Sequence, residues 1–175
     1  GADSNQNGGL NEGYQGTRPL PVGSGRAIRI GGEGPSGDSS STDYVQIPTT
    51  GNAADFGDLT QDTIRQSGGA SSLTRGLTGG GASPGNVDYI FSIEMQSLGN
   101  SGDFGNLTAA RRGPMGVSSK TRACFAGGTT GSIVDTIDYV TIATAANAAD
   151  FGDLSQARGF GSSSNANSST RGLFC

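Results

Sequence analysis

The chain has 175 residues, room for one domain of ordinary size. Glycine takes 32 positions, while Leu, Ile, Val and Phe together take 31. That is about 18%, under the roughly 20% below which disorder becomes the expectation when net charge is also high. A net charge of −4 is too small for self-repulsion to hold the chain open. The composition therefore points to order built mostly from backbone hydrogen bonds around a thin core.

The chain contains no histidine, which removes His-based triads, His general bases and His metal sites. Lys120 is its one lysine, its ten arginines are scattered, and its pI is about 4.6. The expectation is accordingly no nucleic-acid partner. No apolar run approaches 18 residues, so no membrane span is expected. The opening Gly1-Ala2-Asp3-Ser4-Asn5 lacks the profile of a signal peptide. Cys124 and Cys175 are too few for a disulfide framework.

In chain order, residues 1–25 read as an extended N-terminal arm, with Gly8-Gly9, Gly13, Pro19 and Pro21 and no apolar period. An internal repeat follows, and a fixed period dictates architecture. Arg26, Arg75, Arg122 and Arg171, each followed by small or apolar residues, lie 49, 47 and 49 positions apart. Gly pairs come next at Gly31-Gly32, Gly79-Gly80 and Gly127-Gly128. Asp-Tyr with alternating apolar residues recurs at Asp43-Tyr44, Asp88-Tyr89 and Asp138-Tyr139. Asp-Phe-Gly-Asp/Asn-Leu recurs around Phe56, Phe104 and Phe151, and an arginine follows each: Arg65, Arg111 and Arg158. The units are therefore 26–74, 75–121 and 122–170, and residues 171–175 open an incomplete fourth with Arg171.

Each unit reads as strands. Tyr139 to Thr144 is β-branched and aromatic, suited to a half-buried pleated surface, and Arg122 to Ala126 is a short apolar run stopped by Gly127-Gly128. Asp-Phe-Gly reads as a tight turn, because Asp bonds its own backbone and Gly takes positive φ. The Ser-rich stretch Gly161 to Ser169 reads as loop or exposed edge. No segment holds a helical apolar period, so the expected class is all-β.

A unit of this length with a Gly pair, a later Tyr, then an aromatic and an Arg is similar to the kelch repeat. That resemblance covers about residues 26–175 and implies four-stranded β-propeller blades or an open β-repeat array. It places Gly31-Gly32, Gly79-Gly80 and Gly127-Gly128 at the end of one strand. Tyr44, Tyr89 and Tyr139 fall on the next. Phe56, Phe104 and Phe151 stand where the family carries Trp. The wording from Thr136 to Gly159, with Ser168 to Phe174, also resembles tandem repeats of virion structural and tail-fibre-like proteins of marine cyanobacterial phages. This second resemblance implies a non-enzymatic particle component located on the virion.

Other chemistries fit the same residues less well. A protein kinase's Asp-Phe-Gly comes with a Gly-rich loop, a lysine strand and a His-Arg-Asp loop, none of which is here. Asp55 with Asp58, and Asp150 with Asp153, offer oxygens to Ca²⁺, yet the middle unit has Asp103 and Asn106 and a calcium loop takes more ligands. Paired carboxylates could serve glycoside hydrolysis in a depolymerase, but the aspartates recur at corresponding positions, which suggests a shared structural task. Recurring arginines are expected to bridge neighbouring units, and the Tyr and Phe landmarks to pack between them, with the tyrosines largely buried. Cys124 and Cys175 are expected as small core residues, with a disulfide between neighbouring units as the alternative. Asn106 and Asn167 begin glycosylation sequons that matter only in a secretory host. No catalytic residue, cofactor or metal is expected. Expected partners are further copies or other virion proteins, joined through strand edges and the arm, with a host-surface glycan as the alternative.

Overall fold

The computed structural model describes residues 25–34, 37–60, 66–161 and 170–174. Nearly all of the expected arm, Arg65, residues 162–169 with Asn167, and Cys175 lie outside the described residues.

The protein is all-β, and no helix occurs among the described residues. The first sheet holds β1 (Arg26–Ile30), β4 (Ser41–Gln46) and β5 (Ala54–Asp58), in that order. A small hairpin, β2 (Glu33–Gly34) with β3 (Gly37–Asp38), sits between its first two strands in the chain. The second sheet is the meander β6 (Gly68–Ser71), β7 (Arg75–Gly79), β8 (Tyr89–Glu94) and β9 (Gly102–Asn106). The third repeats it with β10 (Met115–Ser118), β11 (Arg122–Ala126), β12 (Thr136–Thr141) and β13 (Ala149–Asp153). Every pairing is antiparallel, and none of the sheets closes into a barrel.

The recurring arginine opens the second strand of each full meander, not the first. β6 precedes Arg75 in sequence but pairs with β7, Gly68 opposite Gly79 through Ser71 opposite Gly76. β10 stands in the same relation to β11. Each four-stranded sheet thus begins a few residues before the arginine that marks its sequence unit.

Asp-Phe-Gly is not a turn, and here the structure corrects the expectation. In all three copies it lies inside the last strand of its sheet. Thr42 faces Gly57 and Asp43 faces Asp55, so Phe56 is an extra residue without an opposite. The same slip leaves out Phe104, between Ile90–Gly105 and Phe91–Asp103, and Phe151, between Ile137–Gly152 and Asp138–Asp150. This is a β-bulge, and glycine supplies its positive φ: +145° at Gly57, +145° at Gly105 and +133° at Gly152. The bulge re-aims the phenylalanine out of the regular alternation of the strand. Asp and Gly suit a turn and a Gly bulge alike, so residue type alone did not separate the two.

The core is thin and lies between sheets. Leu59, Val87 and Phe91, with Ile30 and Tyr89 packed against them, form one cluster. Leu77, Ile90, Phe104, Leu107, Phe125, Val140 and Ile142, with Ala70 and Ala123, form the other. Glycine lets the backbones come this close: a Cβ on Gly116 of β10 would collide with the Gly69 carbonyl of β6.

Candidate functional site

The residues that recur in sequence gather at the seams between successive sheets. At the first seam, β5 meets the loop before β9. The amides of Gly99 and Ser101 donate to the carbonyls of Phe56 and Asp58, at 2.9 Å each. The Asp58 amide donates to Oδ1 of Asn100 at 3.0 Å. At the second seam the Ala148 amide donates to the Asn106 carbonyl at 2.8 Å, and the Asn106 amide donates to Oδ1 of Asn147 at 3.1 Å. An asparagine of the following unit thus caps the bulged strand of the preceding one, twice in the same way. The bulge glycines permit this approach: a Cβ on Gly57 would strike the Gly99 carbonyl, and one on Gly105 the Ala146 carbonyl.

The arginines reach across the same seams. Arg26 donates to the Met95 carbonyl at 3.0 Å while its guanidinium lies over the rings of Tyr44 and Phe56. Arg75 pairs with Glu94 at 2.8 Å and donates to the carbonyls of Ile142 and Ala143. Ser118 donates to the Ser71 carbonyl, and the Ser71 amide returns a bond to the Ser118 hydroxyl.

One ion pair at the second seam is fully buried. Arg111, at the end of the second unit, lies 3.1 Å from Asp138 of the third, and both side chains are essentially without solvent contact. Arg111 also donates to the Phe125 carbonyl. Asp138 accepts from the amide and the hydroxyl of Thr108. Burial pushes the Arg111 guanidinium below its ordinary range, and the Asp138 carboxylate opposes that shift by charge and hydrogen bond.

The other landmarks fall as follows. Gly79 ends β7, and Gly80 follows at a φ of +67°, where a Cβ would strike the Arg111 carbonyl at 2.6 Å. By register Gly127-Gly128, just after β11, matches Gly80-Gly81 and not Gly79-Gly80, and the Gly128 amide donates to the Arg158 carbonyl as the Gly81 amide does to that of Arg111. Gly31-Gly32 follows β1. Tyr44, Tyr89 and Tyr139 are half-buried, less enclosed than expected, because each lies beside a ring at the sheet surface. Tyr44 meets Phe56 and Tyr139 meets Phe151 edge-on at 5.9 Å, whereas Tyr89 meets Phe91 and not Phe104. Arg171 lies on the described segment 170–174, where Gly172 would press any Cβ on Val117 of β10.

Among the described residues no three acidic or thiol groups converge on one point. Asp150 accepts from the Gly152 amide at 3.0 Å, a local bond within the bulge. Cys124 is a half-buried free thiol on β11, and burial raises its pKa while the Arg122 charge lowers it. Sequence reading overlooked Asn100 and Asn147. Their signal was present: a small residue, Asn and another small residue precede every Asp-Phe-Gly, at Gly51-Asn52-Ala53, Gly99-Asn100-Ser101 and Ala146-Asn147-Ala148.

A scan of the chain against models of known protein families finds no match, and comparison with curated protein sequences finds none either.

Proposed function

We propose that this chain is a non-enzymatic structural protein of a phage particle. It would belong to a tail fibre or surface appendage and present its loops on a repetitive β scaffold for host attachment. The observation that carries this reading is the occupation of its recurring polar and aromatic residues. Arg26, Arg75, Arg111, Asp138, Asn100 and Asn147 are spent holding one sheet to the next. A repeat whose chemistry is committed to its own seams is a building element. Each meander is read as a kelch-like blade, a reading supported by a Gly pair at or just after the end of the second strand, Tyr opening or lying on the third and Phe on the fourth.

The experiment is a proteomic inventory of purified virions from the source phage, with antibody labelling to place the chain on the particle. Recovery at structural stoichiometry supports the reading. Its absence from intact particles overturns it. The alternative, a carbohydrate-binding or adhesive module, rests on the exposed Phe151 ring beside Arg122. Binding of the folded protein to a glycan array, lost in Phe151→Ala, would favour that alternative.

A further inference from the structure

The two ends of the repeat present complementary halves of the seam that the molecule builds twice inside itself. At the trailing end, Phe151 is 52% exposed, whereas its counterparts Phe56 and Phe104 are 2% exposed. Among the described residues nothing stands within 4 Å of where a Gly152 Cβ would be, although the same position in the other two units abuts a backbone carbonyl. Arg122 lies over the Tyr139 and Phe151 rings, at 4.6 and 5.9 Å, as Arg26 lies over Tyr44 and Phe56. A groove of about 300 Å³ runs along this face past Val117, Arg122, Cys124 and Phe151. Residues 170–172 line it too, and Gly172 lies against β10, at the opposite edge of the sheet from β13.

At the leading end, Ile47 is 69% exposed, whereas its counterpart Ile142 is 2% exposed and Met95, in the same register position of the second sheet, is half-buried. Val45 is 36% exposed, against 3% for both Ile93 and Val140. Asn52, the counterpart of the capping Asn100 and Asn147, stands exposed. From Asp43 to Asp58 this segment aligns without a gap on Asp138 to Asp153, the segment whose loop covers β9.

We propose that the leading loop of a second copy, Ile47 to Ala53, docks on the β13 edge of the first. Asn52 would cap the Asp153 amide, Ile47 would lie on the Phe151 ring, and the Arg122 guanidinium would donate to the carbonyls of Ile47 and Pro48. The occupant is inferred from the molecule's own seams, where this loop covers this strand twice. The contact joins two different surfaces, so each added copy leaves one of each free, and the assembly is head-to-tail and open-ended. This contact does not depend on the particle reading: self-association is measured on the isolated chain and virion content on the phage.

The test is sedimentation velocity on the full chain and on two variants, Ile47→Asp and Phe151→Asp. Both positions are exposed, so neither change empties a core site, and circular dichroism checks that each variant keeps the parent's β spectrum. The parent should show a size distribution that grows with concentration. Each variant alone should stay monomeric, because one of its two faces is spoiled. Mixed in equal amounts, the two should form a dimer and stop there, because one intact face of each kind remains. A parent that stays monomeric up to about 1 mM, the weakest contact worth counting, overturns the proposal. So does association of either variant alone, which would mean a like-to-like contact or a different surface. A mixture that stays monomeric overturns it as well.

Discussion

The second and third sheets share one topology and one bulge and differ in what covers them. Phe104 and Phe151 occupy the same bulge, yet one is enclosed and the other half in solvent. Arg75 reaches two carbonyls of the next unit, while Arg122 stacks on its own sheet's rings. Leu107 is buried, and Leu154, in the corresponding place, is half-buried. Local sequence therefore sets strand, bulge and hairpin, and the following unit supplies the burial. Energy in such a chain is a nearest-neighbour quantity. One residue type at one repeat position should then have two different energetic weights, depending on which unit holds it.

The sharpest contrast is electrostatic. Asp138→Ala leaves Arg111 buried without its counter-charge and should destabilise by about 3–5 kcal/mol. Arg158→Ala, at the exposed counterpart of Arg111, should stay within about 0.5 kcal/mol. Urea denaturation followed by circular dichroism reads both, and equal losses would break the contrast.

Next comes the bulge glycine. Gly105→Ala and Gly152→Ala share the strain of a side chain at positive φ, about 1–3 kcal/mol. Only Gly105→Ala also drives a Cβ into the Ala146 carbonyl, and displacing that loop should add about 1–3 kcal/mol, as overpacking does. The melting temperature of Gly105→Ala should fall clearly further.

The arginines give a smaller difference. Arg75→Ala removes the donor to the Ile142 and Ala143 carbonyls and should cost about 1–3 kcal/mol. Arg122→Ala gives up a solvent-facing cation–π contact of about 0.5–1 kcal/mol. Chemical denaturation of the two variants side by side measures the gap.

The smallest effect is a titration. Burial raises the Cys124 pKa and the Arg122 charge holds it back. Removing that cation disfavours the thiolate, so in a Cys175→Ser background Arg122→Gln should slow alkylation of Cys124 and move its pH profile upward. Mass spectrometry after timed iodoacetamide treatment reads the rate. A faster reaction would contradict the assigned contact.

Much of this was legible in the sequence. The repeat period, the all-β class and the bridging by Arg26, Arg75 and Arg111 follow from spacing, the capping asparagines were overlooked, and β11 ends at the Gly pair as its apolar run requires. Two features were not legible. Asp-Phe-Gly carries turn composition, and only the register against Thr42, Ile90 and Ile137 turns it into a bulge. The start of each sheet was also hidden, because β6 and β10 are four residues each and Gly- and Ser-bearing, too short for apolar alternation to mark a strand. The asymmetry between units is a property of neighbours, so three similar stretches of sequence carry no trace of it.

The claim that the following unit supplies burial is tested most directly by one pair of variants, Phe104→Ala and Phe151→Ala. Their unfolding free energies should be measured by denaturant titration at a concentration where the parent sediments as a monomer. Phe104→Ala should lose about 3–5 kcal/mol, as enclosed aromatics do on truncation. Phe151→Ala should lose about 1 kcal/mol or less, since half of that ring already faces water. Equal losses at the two positions would contradict the account.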